Sequence, residues 1–146
     1  MCFDIAMRIA SMDNVGKFDK GGKPYVLHLI RVAMRLRSND LELMSVAVLH
    51  DTVEDGHHTF DELRQWGITE RVITALKLLT HQKGISYETY IEAMAGNLDA
   101  LLVKREDLRD NSDITRLKGL REKDFERLQK YCKAFIRVEE LIKEVQ

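Results

Sequence analysis

This chain of 146 residues has few cysteines and almost no net charge, and each of these features excludes a class of protein. Two cysteines, Cys2 and Cys132, are too few for a disulfide framework, so we expect a reduced, cytoplasmic protein. A formal net charge of −1 gives no global reason to expect a nucleic-acid or membrane partner. Asp4 and Arg8 interrupt the first apolar stretch, which predicts an amphipathic helix there rather than a signal peptide or membrane span. Attraction for an anionic ligand must therefore come from a local basic cluster.

Composition and apolar spacing predict a single all-α domain over residues 1–146. Apolar residues make up 45% of the chain and charged residues 32%, a balance typical of globular proteins. No segment has convincing strand alternation, whereas helical spacing recurs. Pro24 suits the first position of a helix, and Asn39 or Asp40 can cap the next helix, which we expect to run to about Val53. Thr59 has capping-box spacing and is predicted to begin a short helix.

A long amphipathic helix is predicted over residues 122–145. Its apolar positions recur at three- and four-residue steps: Phe125, Leu128, Cys132, Phe135, Val138, Ile142 and Val145. This stripe needs a partner surface, which is either the domain itself or a second copy of the chain in a homodimer.

The stretch 43–55 is the best candidate for chemistry. Residues 43–49 are almost wholly apolar, and His50 and Asp51 then introduce groups that are costly to bury unless they are paired or metal-bound. Glu54 and Asp55 follow Asp51 at i+3 and i+4, which would place three carboxylates on one helical face. Crowded carboxylates repel one another unless a cation or basic groups offset their charge.

Two histidines and two aspartates, His28, His50, Asp51 and Asp107, could together bind a divalent metal ion. Such mixed nitrogen and oxygen sets suit manganese, iron or zinc and leave positions open for water or phosphate. A purely structural role is the alternative, because a His-Asp pair at a helix end is often structural.

Basic residues near these positions either bind phosphate or are simply exposed to solvent. Lys17, Lys20 and Lys23 form a glycine-bearing turn that either receives a polyphosphate or is simply solvated. Lys104 and Arg105 likewise either neutralise phosphate or face solvent.

Four sequence blocks, taken in order, resemble the HD superfamily of metal-dependent phosphohydrolases. They are KGGKPYVLH at 20–28, HDTVED at 50–55, YETYI at 87–91 and VKREDLRDN at 103–111. Within that superfamily they are most similar to the hydrolase domain of RelA/SpoT enzymes and their small stand-alone relatives, over about residues 5–115. The resemblance implies an HD-type helical bundle. It also implies removal of the 3′-pyrophosphate from guanosine 3′,5′-bis-diphosphate (ppGpp) by a metal-activated water, with Mn²⁺ as cofactor.

Carried over by position, the resemblance assigns a role to each candidate residue. The metal ligands would be His28, His50, Asp51 and Asp107, and the residues that orient or activate the attacking water would be Glu54 and Asp55. Lys20 and Asn111 would lie on the substrate side, where we also expect Lys17 and Lys104.

The chain departs from the family pattern at three places: Met12 stands where a histidine is usual, Phe18-Asp19 where a basic pair is frequent, and Leu29 where a proline is common. The first two lie on the expected nucleotide side, so we expect weaker ppGpp binding or a different phosphorylated nucleotide as substrate. Two alternatives stay open. One is an HD phosphohydrolase acting on another nucleotide, and the other is a non-catalytic helical binding module stabilised by metal.

Overall fold

Helices account for all the regular structure of residues 2–146, the part of the chain that the computed structural model describes. They are α1 (Cys2–Asp13), α2 (Val26–Arg35), α3 (Leu41–Leu49), α4 (Phe60–Gln65), α5 (Glu70–Leu79), α6 (Tyr87–Glu92), α7 (Leu98–Asn111), a 3₁₀ turn (Ile114–Arg116) and α8 (Glu122–Val145). The same residues contain no β-strand beyond an isolated bridge between Phe18 and Pro24. The all-α prediction is confirmed.

Side-chain caps fix where several helices begin. Asp40 Oδ1 accepts hydrogen bonds from the backbone N–H groups of Glu42 and Leu43 at 3.1 and 3.2 Å, so α3 begins where the sequence predicts. Thr59 Oγ1 accepts from Glu62 N–H at 3.2 Å and begins α4 in the same way. Each cap satisfies a backbone donor that the helix itself leaves free.

The centre of the core is α3, which packs against α1, α2, α5 and α7. Its residues Val46, Ala47, Val48 and Leu49 are almost completely buried. A helix that is apolar on all sides is stable only when other elements surround it. The end of this central helix therefore brings His50 into the interior, with α2 and α7 on either side.

The last helix, α8, packs along α7 and also contacts α6. It buries Ala134, Val138, Leu141 and Ile142. Of the predicted apolar stripe, Val138 and Ile142 are among these buried residues, whereas Phe125, Cys132 and Val145 are exposed. The chain itself thus supplies a partner surface for only part of the stripe. None of the helices in the described part of the chain has both the length and the apolar character needed to cross a membrane.

Two helix boundaries differ from the prediction. Pro24 precedes α2 in a tight loop, because Tyr25 N–H donates to the Lys17 carbonyl at 2.9 Å and holds the chain in a turn. The α3 helix ends at Leu49 rather than near Val53, and the chain continues in turns closed by bonds such as Thr52 N–H to the Leu49 carbonyl at 2.9 Å. As a result, residues 51–55 do not lie on a regular helical face.

Candidate metal centre and active site

Three side chains from different helices converge at the centre of the molecule. His28 comes from α2, His50 directly follows α3, and Asp107 comes from α7; one ligand atom of each lies within 4.8 Å of the other two. The His28 and His50 Nε2 atoms lie 3.1 and 3.3 Å from Asp107 Oδ1. All three residues are buried.

The opposite ring nitrogens of both histidines have hydrogen-bond acceptors. His28 Nδ1 is 2.6 Å from Asp110 Oδ2, and His50 Nδ1 is 2.6 Å from the Ala47 carbonyl oxygen. Because a carbonyl oxygen can only accept, the Nδ1 atom of His50 carries a hydrogen. The two Nε2 atoms are buried and have no hydrogen-bond partner among the described residues. Buried imidazole nitrogens oriented in this way fit a divalent cation.

Charges around the centre strengthen that fit. The carboxylates of Asp51 and Asp107 outweigh the opposing effect of burial and raise the pKa of His50 to about 10. Burial would raise the pKa of Asp107, but Lys104 and the two histidines hold it well below its usual range. The carboxylates of this centre therefore favour a positive charge at His50 Nε2, which either a proton or a metal ion can supply.

Asp51, the fourth predicted ligand, lies beside this group. Its Oδ2 atom is 3.3 Å from His50 Nε2 and accepts a hydrogen bond from the Tyr25 hydroxyl. The Tyr25 hydroxyl thus holds the Asp51 carboxylate in a fixed orientation at the edge of the centre.

Lys104 lies inside the site rather than in solvent. Its buried Nζ atom is 3.0 Å from Asp107 Oδ2 and lies 5.7 and 5.2 Å from the ring centroids of Tyr87 and Tyr90. Burial lowers the pKa of this lysine, but Asp107 and the two tyrosines more than compensate and hold it well above its usual value. The site therefore contains a fixed positive charge next to the candidate ligands.

A cleft of about 190 Å³ opens above the centre. Its walls are formed mainly by polar and aromatic residues of four helices, α5 to α8, and of the connections before α2, after α3 and after α5: Tyr25, His50, Asp51, Glu54, Leu79, His81, Tyr87, Tyr90, Lys104, Asp107, Asn111, Lys130 and Tyr131. Asn111 Nδ2 donates to Asp107 Oδ1 at 2.9 Å. Glu54 Oε1 accepts from the His81 backbone N–H at 2.8 Å, and partial burial raises the pKa of Glu54.

Four predicted site residues do not line the cleft: His28, which is buried beside Asp107, and Lys17, Lys20 and Asp55. Asp55 is exposed and forms an ion pair with Lys17 at 2.6 Å, and Lys17 Nζ lies 3.9 Å from the centroid of the Tyr25 ring. Lys20 faces the connection before α8, close to Asp124. Lys17 and Asp55 are thus next to a wall of the cleft, whereas Lys20 lies farther along the surface.

Sequence reasoning missed the carboxylate that supports His28. Asp110 is fully buried; besides His28 Nδ1, it accepts hydrogen bonds from Arg31 Nε at 2.8 Å and Arg116 Nη1 at 2.9 Å. Burial opposes its ionisation, but His28 and the arginines hold the pKa of Asp110 below its usual range. The signal in the sequence was weak, because Asp110 is one of several charged residues in the block 103–111.

The α8 residues Lys130 and Tyr131 were also missed as cleft residues. Lys130 Nζ lies 4.1 Å from the centroid of the Tyr87 ring, which forms part of the same wall. The apolar pattern of α8 does not show that polar residues beside its stripe line a cleft formed together with other helices.

Asp19, one of the departures from the family pattern, has a structural role. Its Oδ1 atom accepts from the backbone N–H groups of Gly21 and Lys23, both at 2.9 Å, and its Oδ2 atom accepts from Arg116 Nη2 at 2.9 Å. The same arginine binds Asp110, so Asp19 links the glycine-bearing turn to the support of His28.

This chain has the arrangement of the HD type of fold. It is an all-helical bundle with a histidine on one helix, a His-Asp pair at the end of the next helix and an aspartate on a later one. A solved structure reported as a metazoan orthologue of SpoT that hydrolyses ppGpp has this fold. It aligns with a TM-score of 0.76 and 20% identity over 99% of this chain and 93% of that one. No protein-family model matches the chain.

Two curated proteins are similar in sequence. The guanosine-3′,5′-bis(diphosphate) 3′-pyrophosphohydrolase of Aquifex aeolicus is 31% identical over 102 residues, which is 63% of this chain and 14% of that protein. The guanosine-3′,5′-bis(diphosphate) 3′-pyrophosphohydrolase MESH1 of Danio rerio is 47% identical over 49 residues, which is 31% of this chain and 27% of that protein. The matches thus span well under a third of each relative. These likenesses confirm the resemblance that the four sequence blocks predict.

Proposed function

We propose that this chain is a metal-dependent phosphohydrolase that removes pyrophosphate from the 3′ position of ppGpp. The observation that carries the proposal is the convergence of two buried, unpartnered imidazole Nε2 atoms with Asp107 at the base of a polar cleft. The names of both sequence relatives, which specify this reaction, support the choice of substrate.

His28, His50 and Asp107 would hold the metal ion, with Asp51 as the fourth ligand. Two imidazoles and two carboxylates suit Mn²⁺, which we infer as the native cofactor. When bound, the cation lowers the pKa of a coordinated water and polarises a phosphoryl oxygen.

Glu54 is the group that takes the proton from the attacking water. The His81 N–H group fixes the orientation of its carboxylate, and the raised pKa makes this carboxylate a better base near neutral pH. Asp55 lies outside the cleft and would act indirectly, by holding Lys17 against the Tyr25 ring that forms part of the cleft wall.

Lys104 and Asn111 would bind the phosphate that reacts. The buried charge of Lys104 offsets negative charge that enters the cleft, and Lys130 adds a second positive charge from α8. The cleft volume of about 190 Å³ is below the range of about 300–1,000 Å³ typical of ligand pockets. We therefore infer that only the reacting diphosphate enters and that the rest of the nucleotide stays outside, on the side of Lys17, with Lys20 farther along the same surface.

The decisive experiment is to assay Mn²⁺-reconstituted protein against ppGpp, GTP, AMP and a nucleoside 3′-monophosphate, with pyrophosphate and phosphate measured separately. The expected result is stoichiometric release of pyrophosphate and GDP from ppGpp. Cleavage of another nucleotide alone would mean that the chemistry is right and the substrate wrong. Metal binding without any turnover would overturn the enzymatic proposal and favour a metal-stabilised binding module.

A further inference from the structure

A second pocket, which we name the arginine pocket, lies on a different face of α7 from the cleft. It is lined by Arg35, Leu36, Arg37, Arg105, Glu106 and Arg109 and has a volume of about 500 Å³. At 100° per residue, Arg105 and Arg109 project from a different side of α7 than Lys104, Asp107 and Asn111. The arginine pocket shares no residue with the cleft.

Positive charge is in excess in this pocket, although the whole chain is nearly neutral. Four guanidinium groups face three carboxylates: Glu106 within the pocket, Glu139 of α8, which lies 3.8 Å from Arg105 Nη1 and 3.7 Å from Arg109 Nη2, and Asp110, which lies 3.5 Å from Arg35 Nη2. Asp110 is already paired with Arg31 and Arg116 outside the pocket, so positive charge remains in excess. The formal charge of the chain is −1, so the excess is local. A local excess of this kind attracts anions over a distance of about 10 Å at moderate ionic strength.

Most of the guanidinium donors in the pocket are unused. Arg109 Nη1 donates to both oxygens of Glu106, at 2.5 and 3.1 Å. Among residues 2–146, the buried Arg105 Nε has no hydrogen-bond partner and lies 3.6 Å from Glu106 Oε1, and the Arg37 side chain makes no hydrogen bond or ion pair. Arg35 has a single ion contact, 3.5 Å from Asp110. Each guanidinium carries five N–H donors, so the pocket offers many more donors than the protein satisfies.

Contacts with α7 and α8 hold Arg105 and Arg109 in place. Arg109 lies over the Phe135 ring at 5.1 Å, and Glu106, which is only 1% exposed, anchors it from below. Arg37 has a φ of 48°, in the left-handed region, so the chain turns directly after α2. Side chains that are already ordered lose less conformational entropy when they bind a ligand.

We propose that the arginine pocket binds a small molecule that carries a diphosphate or triphosphate group. The planar guanidinium fork matches two phosphate oxygens at once, and several forks in one pocket favour a ligand with several negative charges close together. A volume of about 500 Å³ lies within the usual range for small-molecule sites, about 300–1,000 Å³. The proposal does not depend on the hydrolase activity, because the two sites share no residue.

Calorimetric titration with inorganic triphosphate tests this proposal. Excess EDTA is present, so that metal-dependent binding in the cleft does not contribute. The test variant is Arg37→Gln with Arg105→Gln, and the matched control is Arg8→Gln with Lys143→Gln, two exposed residues of α1 and α8 whose replacement changes the net charge equally. We expect wild-type binding to weaken by about tenfold or more in the test variant and by less than about twofold in the control.

Three results would overturn the proposal. They are no binding of triphosphate by the wild type, equal affinity in the test variant, and equal weakening in the control. The single variant Arg37→Gln replaces the double variant if the latter melts at a lower temperature, because it removes a side chain without a partner in the described chain.

Discussion

Replacing Asp110 with asparagine should weaken metal binding although the residue is not itself a metal ligand. The carboxylate accepts from His28 Nδ1 at 2.6 Å and so directs His28 Nε2 toward Asp107. Asparagine has nearly the same size and keeps an acceptor oxygen, but it loses the charge that favours a strongly basic imidazole. Loss of such a supporting group typically lowers metal affinity by about 10–100-fold, which is about 1.4–2.8 kcal/mol.

The same change should also destabilise the protein. Breaking a buried ion pair costs about 3–5 kcal/mol. The side chains of Arg31 and Arg116 are 33% and 21% exposed and can regain water, so we expect a loss near the lower limit, about 3 kcal/mol. The pKa of Asp110 is lowered by folding, so its stabilisation is present above the unfolded pKa of about 3.9 and is lost as the pH falls through the folded value. The difference between Asp110→Asn and wild type should therefore be constant near neutral pH and shrink in acid.

Calorimetric titration with Mn²⁺ at pH about 7, together with thermal melting with and without EDTA, measures both effects. Asp61→Asn is the control, because the Asp61 side chain is 84% exposed and pairs with Arg64 far from the centre. Unchanged Mn²⁺ affinity in folded Asp110→Asn protein would refute the supporting role of this carboxylate.

Three further outcomes are expected. Glu54→Gln should lower turnover by about 100-fold or more, while the metal content stays the same and the unfolding free energy changes by less than about 1 kcal/mol; full activity would contradict its role as base. Chelator-treated protein should lose stability as the pH rises from about 6.5 to 10, because the pKa of His50 is raised to about 10 by folding and its proton stabilises only the folded state; thermal melts that are flat over this range would contradict this. Truncation after Gly119 removes α8 with its buried Val138 and should lower the melting temperature or cause aggregation; an unaltered melting curve would contradict the packing of α8.

Features that depend on neighbouring residues could be predicted from the sequence. Asp40 and Thr59 cap helices by binding backbone N–H groups two or three residues away, so the local sequence is enough to predict these caps, although Asp40 also pairs with Arg71. The α8 helix spans Glu122–Val145, which is the range that the spacing of its apolar residues predicts. The order of His28, His50 and Asp107 likewise indicated a common site, because these residues fall within blocks that resemble a known family.

Only the tertiary structure decided how the residues around that site are used. Asp110 supports His28 across 82 positions of sequence, and Arg116 joins Asp19 across 97. The spacing of apolar residues predicts which face of a helix is buried, but it does not predict which residues of another helix pack against that face. The separation of Glu54 from Asp55 has the same origin. Because α3 ends at Leu49, one carboxylate turns into the cleft and the other pairs with Lys17 outside it. The sequence by itself determined the elements and the kinds of ligand, whereas the packing of helices distant in sequence determined the supporting contacts and the walls of the cleft.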